Sequence, residues 1–467
     1  MPTHTNNKLS PIAKAVRSSI VCLGLAHGVS HAALLVVTSN ADNGGVGCEF
    51  REAVEAINNG ANGGGCNNIN PALGFGISDT IIIDPNSLAG NTVTINNSEI
   101  SINNSVIIQG FDGFTLNVGA QFRALDISYA TVVLTNLIIS NGSDNGGGIR
   151  VDNSIVSINN STIRDSSIAD VGGGIRVDNS LITINNSTIR DNFAFPFGGG
   201  ITLFNSTASI NNSTISDNSS TFSGANRSLG GGLLSFDSTV TINYSTFNGN
   251  FANAGYGGGL FFEDSSSVTI SNSTISGNSA TRTGGGLNSN SSNITINNST
   301  ISSNSASETG GGIYSDDSII RVSNATVSNN FAITIGGFDL KNSALSSSNT
   351  IIANSISGGD CDVTGSINID SASIVEDGSC NTQRAIDPQL GPLADNGGAT
   401  LTHALLPNSP ARNTGILATC ELEDQLGQVR NSGDNTCDVG AVEFTPEDDS
   451  NFFVIPLPNG KTVVIPL

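Results

Sequence analysis

The sequence predicts an all-β protein, a right-handed parallel β-helix with three short strands and about 26 residues in each coil. Successive triple glycines start 26, 26, 32, 27, 27 and 26 residues apart, and short runs of alternating apolar and polar residues follow each one. A fixed period of this size is typical of a solenoid whose repeats stack on one another. The seven triple glycines begin at Gly146, Gly172, Gly198, Gly230, Gly257, Gly284 and Gly310.

The apolar positions of the repeat fall into three columns, which begin at Val156, Ile158 and Ile163. Alternation along each strand directs these side chains inward and the intervening Ser, Thr and Asn outward. Asparagines recur at the turns in two further columns, which begin at Asn160 and Asn192. Asn tolerates left-handed turn geometry, and stacked amides bond from coil to coil. Packing and turn geometry therefore account for most of the repeated residues.

The composition excludes some classes of partner. Only 12% of the 467 residues are charged, and the formal net charge is −22. Nucleic acids and anionic membrane surfaces need basic patches, so neither is expected to bind. No apolar stretch is long enough for a membrane-spanning helix.

The chain divides into five segments. Residues 1–32 are basic, then apolar, then small, as in a secretory signal peptide. Residues 33–78 form an N-terminal cap in which Phe50, Ala53, Val54 and Ile57 predict one short helix that ends at Gly60. Residues 79–357 are the repeats, 358–445 a disulfide-containing C-terminal region, and 446–467 an apolar tail that forms a hairpin or serves as a sorting segment.

Six cysteines remain after the signal peptide, and they lie in three local pairs outside the regular repeats. Six cysteines allow 15 connectivities, but local pairing is the simplest in an oxidising compartment. The chain has no CxxC motif, so a zinc site is not expected. The predicted disulfide cysteines are Cys48 with Cys66, Cys361 with Cys380, and Cys420 with Cys437.

Segments near both ends of the chain carry a family resemblance. The letters CEFREA, from Cys48 to Ala53, resemble the CSLREA motif of bacterial secreted parallel β-helix proteins, with Glu49 and Phe50 replacing Ser and Leu. Residues 386–415 and 437–443 resemble the choice-of-anchor Q region that ends many of these proteins. The resemblance implies a pectin lyase-like fold and an exported protein, either extracellular or on the outer cell surface of a bacterium.

Candidate sites are few. One column of turn carboxylates, Asp237, Asp264 and Asp317, is a weak candidate for Ca²⁺, and Ser291 interrupts it. Arg150 and Arg176 stack beside Asp152 and Asp178, and opposite charges in a surface ladder contribute little individually. His403 is the one histidine left after processing, which disfavours a histidine metal cluster. The sequence identifies no catalytic residue and no cofactor.

Binding sites are sought where the repeat changes. Phe261 and Tyr314 are expected on the outer face two coils apart, and an insertion of about six residues lies between Asn218 and Gly230, around Phe222 to Arg227. A further hypothesis comes from a column of threonines that resembles an ice-binding or flat-surface-binding face. Its members are Thr162, Thr188, Thr214, Thr246, Thr274, Thr300 and Thr326.

These observations favour a secreted or cell-surface protein with a structural, adhesion-like or surface-binding role, whose partner is an extracellular polysaccharide or a cell-surface component. The alternative is a polysaccharide lyase or glycoside hydrolase-like enzyme on the same scaffold, because fold alone does not decide activity.

Overall fold

The protein is a parallel β-helix, as the sequence predicts. The computed structural model describes residues 32–42, 44–119, 122–143, 147–222, 228–430, 436–444, 452–456 and 462–466. Strands of successive coils pair in parallel and in register, and their inward side chains form one continuous aliphatic core. The expected signal peptide lies outside the described residues except for its last position.

Each coil contributes one strand to each of three long faces. We call the strands that follow the glycines sheet 1, and the next two strands of the coil sheets 2 and 3. Sheet 1 contains Ile100–Ile102, Leu125–Ser128, Ile149–Asp152, Ile175–Asp178, Ile201–Phe204, Leu233–Phe236, Leu260–Glu263, Leu287–Asn290, Ile313–Asp316, Phe331–Lys341 and Ser357–Val363.

Sheet 2 has 13 strands and sheet 3 has 12. Sheet 2 contains Leu34–Val37, Asp79–Ile83, Val106–Gln109, Thr131–Thr135, Ile155–Asn159, Leu181–Asn185, Thr207–Asn211, Thr239–Asn243, Ser267–Ser271, Asn293–Asn297, Ile319–Ser323, Ala344–Ser348 and Ile367–Ile369. Sheet 3 contains Thr92–Ile95, Thr115–Val118, Ile138–Ser140, Thr162–Arg164, Thr188–Arg190, Thr214–Ser216, Thr246–Asn248, Thr274–Ser276, Thr300–Ser302, Thr326–Ser328, Ile351–Ala353 and Ile374–Val375.

The regular coils also contain a short strand between sheet 3 and the glycines, which the sequence pattern does not predict. These strands are Ser167–Ile168, Phe193–Ala194, Ser219–Thr221, Phe251–Asn253, Ser279–Ala280 and Ser305–Ala306. Two-stranded pairs lie outside the coil. They are Ser228–Leu229 with Gly255–Tyr256, Leu390–Ala394 with Thr402–Leu405, and Phe452–Pro456 with Thr462–Pro466.

The N-terminal end is covered by one amphipathic helix, Phe50–Asn59, as predicted. Phe50, Ala53, Val54 and Ile57 are buried against the first coils. Glu49 and Glu52 form a capping box at its start, and Gly60 ends it in the left-handed region at φ 62°. The helix therefore shields the open apolar end of the solenoid from water.

A ladder of buried asparagines links coils along the interior corner next to sheet 3. The backbone N–H of Asn250 donates to Oδ1 of Asn278 at 3.0 Å, and its side-chain Nδ2 donates to the same oxygen at 2.9 Å. Nδ2 of Asn278 in turn donates to the carbonyl of Phe247. Each amide thus satisfies backbone groups that would otherwise be buried without partners. The ladder contains Asn192, Asn218, Asn250, Asn278, Asn304 and Asn330.

The triple glycines are required by close packing between coils. A Cβ atom on Gly231 would lie 2.4 Å from the carbonyl oxygen of Gly258 in the next coil, which excludes any side chain. Gly230, the first of the same three, has φ 61°. Glycine adopts this conformation without steric cost.

The C-terminal region folds back onto sheet 3 and covers part of it. Gln425, with a fully buried side chain, donates to the hydroxyl of Thr274 at 2.9 Å and accepts from the hydroxyl of Thr300 at 2.7 Å. The Thr326 hydroxyl accepts from the backbone N–H of Ala441. The ice-binding hypothesis is therefore wrong in its premise, because three of the seven column threonines (Thr274, Thr300 and Thr326) are buried under this region.

Three disulfides join the local cysteine pairs, as predicted: Cys48 with Cys66, Cys361 with Cys380, and Cys420 with Cys437. A 3₁₀ turn, Leu417–Thr419, directly precedes Cys420. In the tail, Phe452–Pro456 and Thr462–Pro466 pair antiparallel, as in the expected hairpin, and residues 457–461 between them lie outside the described residues. Among the described residues, no helix is long and apolar enough to cross a membrane.

One arginine and three carboxylates lie close together in the C-terminal region, where Arg430, Asp424 and Asp438 are buried and Glu443 is partly buried. Arg430 pairs with Glu443 at 3.2 Å and also donates to the carbonyl of Gly440. Burial, together with the nearby Asp438 carboxylate, raises the pKa of Glu443 to about 7. Burial also raises the pKa of Asp424 and of Asp438. One guanidinium does not offset the desolvation of three carboxylates.

Replacement of Asn278 by alanine should destabilise the solenoid by about 3 kcal/mol, because several buried polar groups lose their partner. Asn211 offers a matched control, since its half-buried side chain lies on the outer face of sheet 2 and donates to the side chains of Asn185 and Ser209. Asn211→Ala should cost less than about 1 kcal/mol. Urea denaturation followed by circular dichroism measures both, and equal losses would show that the interior ladder has no special role.

Glu443 should make the stability of the C-terminal region depend on pH. Its folded pKa of about 7 exceeds the ordinary value of 4.5, so the folded state binds more protons than the unfolded state between these two pH values. Its contribution is complete below pH 4.5 and is lost as the pH rises through 7. Glu443→Gln imitates the protonated side chain, and its melting temperature should exceed that of the native protein increasingly as the pH rises. A difference that stays constant from acid to neutral pH would contradict the raised pKa.

Candidate functional site

The outward residues of sheet 1 form two parallel columns, because strands of adjacent coils pair in register. From the N-terminal coils onward, the side chains in each column are first charged, then apolar or aromatic, and finally polar or charged. The first contains Arg150, Arg176, Thr202, Leu234, Phe261, Asn288, Tyr314 and Asp339. The second contains Asp152, Asp178, Phe204, Phe236, Glu263, Asn290, Asp316 and Lys341.

A wall rises beside the first column. It is built by the loops that lead into the triple glycines, which stack on one another as the coils do. Phe197 bridges to Leu229, and Ser228–Leu229 pairs with Gly255–Tyr256. Thr283 and Thr309 continue this stack in the next two coils.

Floor and wall enclose a groove of about 540 Å³. We use "the groove" for this space alone. Its lining residues are Phe197, Leu229, Tyr256, Phe261, Glu263, Asn288, Ser289, Asn290, Tyr314 and Asp316.

One half of the groove is apolar. Leu229, Leu234 and Phe261 form a small buried cluster that is separate from the solenoid core, and Phe197 and Tyr256 pack against it. Arg282 lies over the ring of Tyr256, with Cζ 4.9 Å from the ring centre, and it also pairs with Glu308. The cluster therefore gives the wall its own hydrophobic support.

The other half of the groove is polar. Asn288 is 3% exposed, and its Nδ2 donates to the hydroxyl of Thr283 at 2.7 Å, which links floor to wall. Nδ2 of Asn290 donates to Glu263 at 3.2 Å. Tyr314 and Asp316 complete this half. Hydroxyl, amide and carboxylate groups thus converge on one surface held by rigid strands.

The pKa values of Tyr314, in the polar half, and of the nearby Lys341 are both raised. Burial raises the pKa of Tyr314, and the carboxylates of Asp316 and Asp339 raise it further. Burial acts to lower the pKa of Lys341, but its bonds to Asp339 and Asp362, both 2.7 Å, raise it above the ordinary value. Tyr314 and Lys341 are therefore protonated at neutral pH, and neither has the lowered pKa that a lyase base needs.

The carboxylates that the sequence marks as weak metal candidates occupy exposed turns. Asp237, Asp264 and Asp317 have φ of 44°, 52° and 48°, and Ser291 takes the same conformation at 51° in the coil between. Their shared feature is the left-handed turn, which Asp adopts more readily than most residues. Within the described part of the chain, no three His, Cys, Asp or Glu side chains come together in a way that could hold a metal ion.

The stacked arginines are paired, as the sequence suggests. Arg176 bonds to Asp178 at 2.8 Å. Arg150 lies 3.8 Å from both Asp126 and Asp178. These ion pairs continue sheet 1 toward the N-terminal end, beyond the groove.

The groove contains some residues that the sequence singled out and others that it did not. Phe261 and Tyr314 are brought to the same groove, with Asn288 in the coil between them. The insertion borders the groove through Leu229, although residues 223–227 lie outside the described residues. Phe197 and Tyr256 were missed. The available signal was the residue before each triple glycine, which is aromatic or leucine in three successive coils.

Comparisons with known proteins give a fold likeness and little else. No protein family model matches the sequence, and no curated protein matches it. Among solved structures, the protein is similar to the crystal structure of pectate lyase Pel9A, at 15% sequence identity with a TM-score of 0.46. The match covers 90% of this chain and 98% of that one. A similarity at this level assigns no activity.

Proposed function

We propose that this protein is exported and binds a glycan of the extracellular matrix or cell surface in the groove, without cleaving it. The observation that carries the proposal is the groove itself, in which an apolar wall faces a floor of amide, hydroxyl and carboxylate groups. Glycan ligands present hydroxyl groups beside apolar ring and substituent carbons, so both halves have a partner.

Export is supported by features outside the groove. Three disulfides are expected in an oxidising compartment, and the first 32 residues have the composition of a signal peptide. The resemblances at Cys48 to Ala53 and at residues 386–415 point to a secreted or surface-bound bacterial protein. A sorting role for the apolar tail, residues 446–467, belongs to the same proposal.

The raised pKa values of Tyr314 and Lys341 disfavour these two side chains as the base of an elimination reaction. Cleavage of an acidic polysaccharide by elimination requires a side chain that accepts a proton at the working pH. The polysaccharide-cleaving alternative is tested in the same experiment as binding.

The mature protein should bind at least one member of a panel of immobilised neutral, acetylated and acidic polysaccharides, measured by biolayer interferometry. Tyr256→Ala should weaken that binding about tenfold, because truncating an aromatic contact in a binding site costs on the order of 1.4 kcal/mol. Tyr129→Ala is the matched control, since Tyr129 is 77% exposed on a turn outside the groove.

The same polysaccharides are incubated with the protein and assayed for new reducing ends and for unsaturated products. Sustained product release, with and without added calcium, would replace the binding proposal by the enzymatic alternative. Binding to no member of the panel, or equal losses in the two tyrosine variants, would refute the groove as a glycan site.

A further inference from the structure

The polar half of the groove carries more negative charge than positive. Asp316 lines this half. Asp339 and Asp362 lie on the next two strands of sheet 1, where both pair with Lys341. Lys341 is the one cation in this group of four, and it is shared between two of the three carboxylates. The excess negative charge makes the electrostatic potential in the groove negative, so an anionic ligand such as a uronate is repelled. The net charge of −22 acts in the same direction.

Asn288 and Asp316 present acceptors in this half, beside the hydroxyl of Tyr314, which both donates and accepts. The amide nitrogen of Asn288 is committed to the carbonyl and hydroxyl of Thr283, at 3.3 and 2.7 Å, which leaves its Oδ1 as an acceptor for a ligand. The carboxylate of Asp316 only accepts when ionised. A ligand rich in hydroxyl or amide donors therefore satisfies the floor.

The apolar half offers little open ring surface for a sugar to stack on. Arg282 covers one face of Tyr256, and the ring of Phe261 is tilted against Tyr256 at 6.5 Å. In the second column, the rings of Phe204 and Phe236 stack on each other at 5.4 Å. What remains is an apolar corner between Phe197, Leu229 and Tyr256, and its side chains suit a methyl-bearing substituent better than the stacked face of a pyranose ring.

We infer that the groove selects an uncharged, acylated glycan, with an acyl group in the apolar corner and sugar hydroxyl or amide donors on Asn288 and Asp316. This inference rests on the proposed function, because it names the class of glycan that the groove binds. It ranks polyuronates as the weakest glycan ligands.

The test uses acetylated glucomannan, the same polymer after alkaline deacetylation, and polygalacturonate. Acetylated glucomannan should bind most tightly, and deacetylation should weaken binding about fourfold for each acetyl group held, the effect of one buried methyl group. Polygalacturonate should bind most weakly, and its binding should improve with added salt as the repulsion is screened. Binding that is unchanged by deacetylation, or that is tightest for polygalacturonate, would overturn the inference.

Asp316→Asn isolates the contribution of charge. The equivalent position in the preceding coil is Asn290, so the amide fits the strand. At low ionic strength this variant should bind polygalacturonate about threefold more tightly than the native protein does. Asp217→Asn removes the same charge from an exposed left-handed turn outside the groove, and it should have no such effect. Equal gains in both variants would show that net charge, rather than the groove, excludes the polyanion.

The outcomes separate the two claims. If the protein binds glycans of the wider panel but prefers an anionic or unacylated chain, the proposed function stands and the inference fails. If it binds none of them, both fail.

Discussion

The whole structure depends on the hydrogen bonds that join each coil to the next. Parallel strands pair only if every coil returns to the same register about 4.8 Å along the axis. Each corner must therefore turn in the same way in every repeat. Asparagines and aspartates in the left-handed conformation form the outer turns, and the buried amide ladder fills the interior corner. Glycines occupy the positions where carbonyl oxygens of the neighbouring coil leave no room for a side chain.

This constraint explains how much of the fold was predictable. Inward columns such as the one from Val156 to Ile320 repeat with the period of the coil, so one sequence shows the core directly. The helix at Phe50 was equally predictable, because its apolar face and Gly60 are local signals. The covering of Thr274, Thr300 and Thr326 was not. It depends on Gln425 and Ala441, which are more than 100 residues away and follow no repeat.

The candidate site was predictable only in part, and for the same reason. Phe261 and Tyr314 stand out as outward aromatic residues on the periodic strands. The wall that makes them part of a groove is built from loops whose lengths differ between coils, and a period does not describe loops. Phe197 and Tyr256 become candidate binding residues only in the folded protein, where stacking of their loops places them beside sheet 1. The scaffold could thus be predicted from the repeated strands, whereas the groove depends on loops that do not repeat.

The account is tested most directly by locating the ligand on the protein. Hydrogen–deuterium exchange with and without a saturating glycan should show new protection in residues 254–263, 283–290 and 309–316, which carry the floor and wall of the groove. The outer faces of sheets 2 and 3 should not change. Protection confined to those faces, or to the C-terminal region, would contradict a binding site on sheet 1.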